Sequence, residues 1–293
     1  MLAKDGKDKV SELSESCTSG GAKRGPEPKG ITAVMNLAGV KHKIIVMSGK
    51  GGVGKSTVAV NIAVSLARSG LSVGILDADM HGPSVPKLLG IPNLPLAMIK
   101  DERIQPAFVP PSLKVISVAF LLSDRYAPII WRGPLKMGAI KQFLEEVEWG
   151  ELDYLIIDLP PGTGDEPLSI AQLVPNPDGA VIVTTPQDVA LLSVRRSINF
   201  AKAVNLRIIG IMENMDGFVC PHCGKESAVF GHGGVQKAAR ETGIEFLGSI
   251  PLSLEVSQSG DAGKPFVLNG GTASKAFEEI VSKIVKKING EKR

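Results

Sequence analysis

The fold of this chain is indicated most strongly by one segment, Gly49-Lys50-Gly51-Gly52-Val53-Gly54-Lys55-Ser56-Thr57. It matches the phosphate-binding pattern G-x-x-x-x-G-K-[ST] at every fixed position. Residues 44–47 before it form a short apolar run typical of a buried strand, and apolar residues from 58 to 67 recur at helical spacing. A strand, a glycine loop and a helix in this order bind phosphate, because backbone N–H groups and the positive helix end face the anion.

The loop residues divide into two groups by their expected roles. Lys55 is expected to reach the β- and γ-phosphates, and Ser56 to ligate Mg²⁺. The backbone around the phosphates comes from the rest of the loop: Gly49, Lys50, Gly51, Gly52, Val53, Gly54 and Thr57. Lys50 is unusual, since Lys55 already serves the phosphates. The plainest reading of Lys50 is a solvated surface lysine.

Three carboxylates follow apolar runs elsewhere in the chain. Asp77 and Asp79 end one run, and Asp158 ends another. Ligands of open α/β sheets bind beyond the carboxyl ends of the strands, so all three acids are expected to face the nucleotide. Asp79 and Asp158 are predicted to be catalytic, Asp158 on the magnesium side. The alternative roles are helix capping and ion pairing. The turn at 159–165, Leu-Pro-Pro-Gly-Thr-Gly-Asp, looks like a switch that senses the γ-phosphate.

Two further features follow a later apolar run. Asn214 is placed to read the edge of an adenine, although capping or turn formation fits an asparagine there as well. Cys220 and Cys223 form a C-x-x-C turn, which is half of a four-ligand metal site. Three readings stay open: a zinc site completed by Cys17, His222 or His232, a thioredoxin-like redox pair, and one metal centre shared by two chains.

Composition places the chain among well-packed globular proteins. It has 293 residues, 43% hydrophobic content and a net charge of +3, without a basic stripe interleaved with aromatics that would suggest nucleic acid. No apolar run is long enough to span a membrane, and the polar N-terminus is no signal peptide. Three cysteines, an odd number, favour a reducing cytoplasm. We expect a flexible tail over residues 1–40 and one domain over 41–293 that carries the C-x-x-C metal-binding loop.

The order of apolar and amphipathic segments predicts the fold class. Short apolar runs lie at 44–47, 72–76, 115–118, 154–157, 180–184, 207–212 and 246–250, and helical patterns at 135–147 and 189–204. This alternation predicts an α/β protein with a mainly parallel sheet and helices on both faces. Residues 91–111 are rich in proline and suggest an extended excursion or a hairpin. Residues 277–288 are amphipathic and form either a last core helix or a membrane-surface helix.

The chain resembles the Mrp/ApbC family of iron–sulfur cluster carriers, whose loop is the deviant, two-lysine form also found in MinD, ParA and the nitrogenase iron protein. The resemblance rests on the loop with Ser48, on 77–86, on Trp131-Arg-Gly-Pro134, and on 158–165, 184–188, 213–215 and 220–224. It implies a P-loop ATPase that forms a homodimer, hydrolyses ATP slowly with Mg²⁺, and shares a 4Fe-4S cluster between the cysteine pairs of two subunits. A cluster donor and recipient apo-proteins are then its partners.

Carried over by position, the resemblance implies that Lys55 and Ser56 bind phosphate and magnesium, and that Lys50 acts on the partner's nucleotide. It also implies that Asp79 positions the attacking water and that Asp158 supports the metal. Two departures stand out: the family usually has an aspartate near Ser193, and the tail has Cys17 where eukaryotic relatives have four cysteines. The rival readings are a MinD- or ParA-like positioning ATPase and a zinc-stapled ATPase dimer. A positioning ATPase has no use for the cysteine pair.

Overall fold

Strands and helices alternate along the chain, as the sequence predicts. The computed structural model describes residues 31–92, 94, 97–98, 103–121, 133–220 and 222–290. The strands are β1 Val40–Met47, β2 Val73–Asp77, β3 Ala97–Met98, β4 Ile104–Gln105, β5 Ala107–Val109, β6 Leu113–Ser117, β7 Leu152–Asp158, β8 Gly179–Thr184, β9 Ile208–Val219, β10 Glu226–Ser227 and β11 Phe246–Leu252. The helices are α1 Ile31–Asn36, α2 Lys55–Arg68, α3 Val85–Leu88, α4 Gly133–Glu145, α5 Asp165–Leu173, α6 Asp188–Ala203, α7 Gly234–Thr242, α8 Leu254–Asp261 and α9 Thr272–Gly290, with 3₁₀ turns at Val118–Leu121 and Phe266–Leu268.

Nine strands of the described chain form one sheet. Their order is β10-β9-β8-β1-β7-β2-β6-β5, and β11 pairs with β9. The pairs β5–β6 and β10–β9 are antiparallel, and the other pairs of this sheet are parallel. The predicted mainly parallel sheet is therefore confirmed. Strands β3 and β4 form a separate antiparallel pair within the proline-rich segment, which agrees with the predicted hairpin.

Helices cover both faces of this sheet, which explains why its central strands read as continuous apolar runs. Along β1, Ile44 and Val46 belong to the core cluster that contains residues of α2 and α9. The alternate residues Ile45 and Met47 belong to the cluster that contains residues of α4 and α6. A strand buried on both sides needs apolar residues at successive positions, and β1 supplies them.

The register of the central strands brings the loop and the acids to one edge. Val46, next to the end of β1, pairs with Asp158 at the end of β7. Asp77, at the end of β2, also pairs with Asp158. Because these parallel strands end at the same level, the residues that follow them converge at the carboxyl edge of the sheet.

The N-terminal boundary differs from the sequence prediction. The predicted tail extends to residue 40, but α1 lies within it, and both Ala33 and Leu37 are buried in the core. The Asn36 side chain donates to the carbonyls of Leu144 and Val147 at 2.8 and 3.0 Å. The predicted boundary is therefore about ten residues too late. The rest of the predicted tail, residues 1–30, lies outside the described residues.

The amphipathic segment near the C-terminus is a core helix. The apolar side chains of α9, among them Phe277 and Ile284, are buried against the sheet. This outcome confirms the core-helix reading and contradicts the membrane-surface alternative, which needs this apolar face for lipid. Within the described ranges, no helix has the length and apolar character that crossing a bilayer requires.

Candidate functional site

The glycine loop joins β1 to α2 at the carboxyl edge of the sheet. Gly54 has φ 84°, in the left-handed region, and a Cβ at this position would lie 2.1 Å from Asn214 Nδ2. A Cβ at Gly49 would lie 2.4 Å from the carbonyl oxygen of Ser193 in α6. No side chain caps the first N–H groups of α2. The glycines therefore permit a tight loop that leaves a helix N-terminus free for an anion.

Lys55 lies at the centre of the charged groups in this loop. Its Nζ donates to Asp158 Oδ1 at 2.6 Å and to Ser56 Oγ at 3.2 Å, and lies 3.5 Å from Asp79 Oδ2. The predicted residues Lys55, Ser56, Asp79 and Asp158 are thus brought together. Burial lowers the pKa of Lys55, but the neighbouring carboxylates, Asp158 first, outweigh it and raise the pKa above its usual value. The lysine therefore stays charged.

Asp158 has the properties expected of a magnesium-side carboxylate. It is fully buried, and its Oδ2 has no hydrogen-bond partner among the described residues. Burial raises its pKa, opposed by Lys55 and by a hydrogen bond from the Ser56 hydroxyl. An orphaned carboxylate oxygen beside a hydroxyl belongs to the oxygen ligand set that Mg²⁺ prefers. The residues present therefore fit this cation.

Asp77 differs from its predicted role. Its carboxylate accepts from the Ser117 hydroxyl at 2.9 Å and from the backbone N–H of Val85 at 3.2 Å. It does not line the cavity at the loop. Burial, and then the charge of Asp158, raise its pKa to about 7. Asp77 therefore anchors α3 and β6 below the site, and the expectation that it faces the nucleotide is wrong.

A cavity of about 300 Å³ opens over the loop. Its lining residues are Ser48, Gly51, Gly52, Gly54, Lys55, Ser56, Thr57, Asp79, Gly82, Ser84, Leu88 and Pro161. Pro161 comes from the predicted switch turn, whose Gly162 N–H donates to the Ser48 carbonyl at 2.8 Å. Gly82, Ser84 and Leu88 had no predicted role. The small residues Gly82 and Ser84, which follow Asp79 within one short segment, were the available sequence signal.

Asn214 lies beneath the loop. It is buried, and its Nδ2 donates to the Val53 carbonyl at 2.9 Å over a sequence separation of 161 residues. This bond fixes the loop to β9. The reading of adenine by Asn214 stays a prediction.

Lys50 turns toward its own chain in this structure. Its Nζ donates to Gln187 Oε1 at 2.8 Å, just before α6. The loop backbone at Lys50 is also held, because the Ser48 hydroxyl donates to the Lys50 carbonyl at 2.9 Å. Its action on a second chain stays a prediction.

The cysteine pair occupies the tip of a β-hairpin between β9 and β10. The Cys220 N–H donates to the Lys225 carbonyl at 3.0 Å, and the Gly224 N–H donates to the Cys220 carbonyl at 2.9 Å. Hydrogen bonds from the backbone N–H groups of Cys223 and His222 lower the pKa of the Cys220 thiol. Cys223 is exposed and Cys220 is partly exposed. The turn therefore favours an accessible thiolate, the form that binds metal.

The described residues of one chain do not complete a metal site at the hairpin. No cluster of three or more His, Cys, Asp or Glu side chains suited to a metal occurs in the described part of the chain. His232 is bonded to Asp216 Oδ1 at 2.7 Å instead. Cys17, another candidate ligand of the one-chain zinc reading, lies outside the described residues, as do Trp131 and Arg132 of the quoted motif.

The parallel sheet, the glycine loop and the strand-end acids define a P-loop NTPase with two loop lysines. The family model named ParA, described as NUBPL iron-transfer P-loop NTPase, matches residues 39–288. The chain belongs to this family. The resemblance to iron–sulfur cluster carriers is thereby confirmed.

Curated and solved relatives agree with this assignment. The chain is 53% identical over 257 residues to the iron-sulfur cluster carrier protein of Methanocaldococcus jannaschii, with 88% of each chain covered. It is 52% identical over 254 residues to the protein of the same name from Saccharolobus solfataricus, with 86% of each covered. A solved nucleotide-binding protein of Archaeoglobus fulgidus, in complex with ADP and with cobalt, has 43% identity and a TM-score of 0.71, covering 80% of this chain and 91% of that one. The MinD protein of Pyrococcus horikoshii with Mg-ADP shares the fold at 21% identity and a TM-score of 0.63, over 86% of this chain and 98% of its own.

Proposed function

We propose that this protein is an ATP-hydrolysing carrier that receives a 4Fe-4S cluster from a donor and transfers it to apo-proteins. In this proposal two copies of the chain share one cluster through Cys220 and Cys223. The observation that carries it is the cysteine hairpin, with a thiol of lowered pKa, on a chain of the iron-transfer NTPase family. The proposed ATPase domain begins near residue 31, and its compartment is the cytoplasm. We expect no nucleic acid or membrane among its partners.

The nucleotide part of the proposal follows from the loop. The backbone of residues 49–57 and the start of α2 would surround the phosphates, with Lys55 on the β- and γ-phosphates. The ADP complex of the Archaeoglobus fulgidus relative supports nucleotide binding by this chain. When Mg²⁺ is bound, with Ser56 as ligand and Asp158 beside it, it neutralises charge on the phosphates. Lys55, now held by Asp158 and Asp79, would exchange these carboxylates for phosphate oxygens.

Hydrolysis would depend on Asp79. Its Oδ2 lies beside Lys55, while its Oδ1 accepts from the backbone N–H groups of His81 and Gly82, at 3.3 Å each. This orientation suits a carboxylate that holds the attacking water in line with the γ-phosphate. Slow turnover would be expected if Lys50, the second loop lysine, completes the site of the other subunit, because one subunit alone then lacks a cation that hydrolysis needs.

The cluster part of the proposal follows from ligand arithmetic. A four-iron cluster is held by four cysteine thiolates, and each hairpin offers two. A symmetric dimer places identical surfaces together, so two hairpins can supply the full set. The relatives named iron-sulfur cluster carrier protein support iron and sulfide as the cargo. The same four thiolates would also bind zinc, which makes a zinc-stapled dimer the second candidate.

The decisive experiment is anaerobic reconstitution with iron and sulfide, followed by visible absorption, iron and sulfide analysis, and mass determination of the loaded protein. We expect about one four-iron cluster per dimer, and transfer to an apo-ferredoxin. Cys220→Ala and Cys223→Ala should lose loading and transfer while still binding ATP. Cys17→Ala is the matched control and should load as the wild type does.

Two results would contradict the proposal. One is equal iron binding by the double variant of Cys220 and Cys223. The other is a loaded protein that is monomeric. Colourless protein purified without air and containing zinc in place of iron would favour the zinc-stapled dimer.

A further inference from the structure

Three charged or titratable side chains from three elements meet beside the nucleotide cavity. His81 lies in the loop after β2, Lys136 in α4 and Glu166 in α5. Lys136 Nζ lies 2.7 Å from Glu166 Oε1 and 3.0 Å from His81 Nε2, and His81 Nε2 lies 3.0 Å from Glu166 Oε2. We call these three residues the switch cluster. His81 Nε2 either accepts from Lys136 or donates to Glu166, depending on its protonation, whereas the Lys136–Glu166 pair is present in both cases.

The switch cluster differs from an ordinary surface ion pair. The Lys136 side chain is only 9% exposed, although lysine is rarely buried without a partner. Burial raises the pKa of Glu166, but the hydrogen bond from Lys136 and the charges of His81 and Lys136 outweigh it and hold the pKa below its usual range. A buried ammonium depends on its carboxylate, whereas an exposed pair contributes little. The cluster therefore ties α4 to α5 through a mostly buried lysine, and it reaches the loop through His81, whose side chain is 61% exposed.

This loop is also the one that carries Asp79. The backbone N–H groups of His81 and Gly82 donate to Asp79 Oδ1, so a shift of His81 changes the position of the carboxylate. Glu166 follows Asp165, the first residue of α5, and the turn before α5 brings Pro161 to the cavity wall. The cluster thus joins the loop of Asp79 to the turn that lines the phosphate cavity.

We propose that Lys136 and Glu166 are positioning residues for ATP hydrolysis, acting through His81 on the orientation of Asp79. This inference rests on the proposed ATPase function. Neither residue lines the cavity at the loop, so we expect neither to contact the phosphates. Their loss lowers kcat and leaves KM for ATP close to the wild-type value.

The test separates positioning from folding by removing both charges together. A single Lys136→Met or Glu166→Gln change leaves the other charge without its main partner and lowers stability for that reason alone. The double variant, Lys136→Met with Glu166→Leu, has no such unpaired charge. We expect it to melt near the wild-type temperature but to lose roughly 10- to 100-fold in kcat, the scale expected when a reacting group is misplaced by about 1 Å. Lys136→Arg keeps the charge and should recover most of the rate.

A matched control lies on the same helix. Lys141, which is exposed, lies 3.7 Å from the less exposed Glu145, one turn away on α4, and neither residue lines the cavity. Lys141→Met should leave kcat unchanged. An equal loss in Lys141→Met would show that any charge removal on α4 slows the enzyme, and would overturn the specific role of Lys136.

A second readout needs no nucleotide. Amide hydrogen exchange of residues 79–84 should be faster in the double variant than in the wild type, since the loop has lost its anchor. Wild-type kcat and exchange in this variant would overturn the inference while leaving the ATPase function intact. Conversely, if the wild-type protein does not hydrolyse ATP, the proposed ATPase function is wrong. In that case, amide hydrogen exchange of residues 79–84 in the double variant still tests whether the switch cluster holds this loop.

Discussion

At the scale of single residues, Lys55 lies between two carboxylates. A bound nucleotide would require the lysine to exchange these contacts for phosphate oxygens. Its ammonium is 2.6 Å from Asp158 and 3.5 Å from Asp79, and it is almost fully buried. If phosphate oxygens replace these carboxylates, the lysine keeps anionic partners, and the buried Asp158 carboxylate would need a bound Mg²⁺ beside it instead. We therefore expect Lys55 and Asp79 to have separable roles, in binding and in hydrolysis.

We predict that Asp79→Asn binds ATP with near wild-type affinity and loses most hydrolysis, at least about 100-fold in kcat, because the amide orients water poorly. Lys55→Ala should instead weaken ATP binding itself, since the phosphates lose their cation. Nucleotide titration and steady-state turnover measure the two effects. Full hydrolysis by Asp79→Asn would contradict the role given to this carboxylate.

Glu213 is another buried acid, located in β9. Burial, and then the charge of Asp216, raise its pKa to about 7. Its Oε1 has no partner among the described residues, although its carboxylate receives a hydrogen bond from the backbone N–H of Val235 at the start of α7. The native state thus favours the protonated acid. Ionisation of Glu213 therefore lowers the free energy of unfolding, and protonation at lower pH restores it.

We predict that Glu213→Gln becomes more stable relative to the wild type as pH rises. A raised native pKa means that the contribution of Glu213 is fully present below about pH 4.5 and is lost as pH rises through about 7. The free energy of unfolding of Glu213→Gln relative to the wild type should therefore increase between these two pH values. It should level off above about pH 7.5, at a total difference on the order of 1 to 3 kcal/mol. Urea unfolding at a series of pH values measures it. A difference that is constant with pH would show that Glu213 does not titrate in this window.

At the scale of elements, the C-terminal helix α9 closes one face of the sheet. Phe277 is fully buried and meets Phe266 edge-on, with ring centroids 5.3 Å apart. Such pairs contribute beyond the area that they bury. The helix is therefore part of the hydrophobic core that supports β11 and α2.

We predict that Phe277→Ala destabilises the protein by about 3 to 5 kcal/mol, the usual range for deleting a buried aromatic side chain. Leu268→Ala is the matched control, because Leu268 lies nearby in the chain and is half exposed. It should change the free energy of unfolding by no more than about 0.5 kcal/mol. Equal effects of the two substitutions in denaturant unfolding would contradict the core position of α9.

The sequence predicts those elements whose signal is local. Each predicted apolar run became a strand, since a strand covered on both faces needs apolar residues at every position. Helix α1 was missed because six residues are too few to show a helical period beside a polar tail. The switch cluster was missed because Lys136 lies 55 residues from His81 and 30 from Glu166, so that tertiary packing alone brings them together. For the same reason, the bond from Asn214 to the loop had no sequence signal.

At the scale of the molecule, two groups of candidate functional side chains in the described chain lack part of the set that the proposed function needs. Its hairpin offers two thiols, and its second loop lysine, Lys50, contacts Gln187 instead of its own phosphate cavity. Both would be completed by one second copy of the chain. The proposed dimer therefore predicts that defects in different subunits can compensate for each other.

We predict that mixing Lys50→Ala chains with Asp79→Asn chains restores ATP hydrolysis. Each variant alone should be nearly inactive, while a mixed dimer contains one site with both Asp79 and the partner's Lys50. Two affinity tags allow the mixed dimer to be isolated and its turnover compared with that of the wild type, of which it should reach about half. Purified mixed dimers without activity would exclude the action of Lys50 across subunits.

The shortness of β10 has a consequence for how the protein behaves in concentrated solution. An unpaired strand edge is a template for strand addition and aggregation, and the cysteine hairpin ends in such an edge. Here the edge strand is only the two residues Glu226–Ser227, both exposed, and an exposed lysine, Lys225, precedes it. A strand this short and polar offers an incoming chain few backbone groups to pair with. The thiols can therefore project into solvent at the tip of a β-ribbon without making that ribbon a nucleus for fibrils.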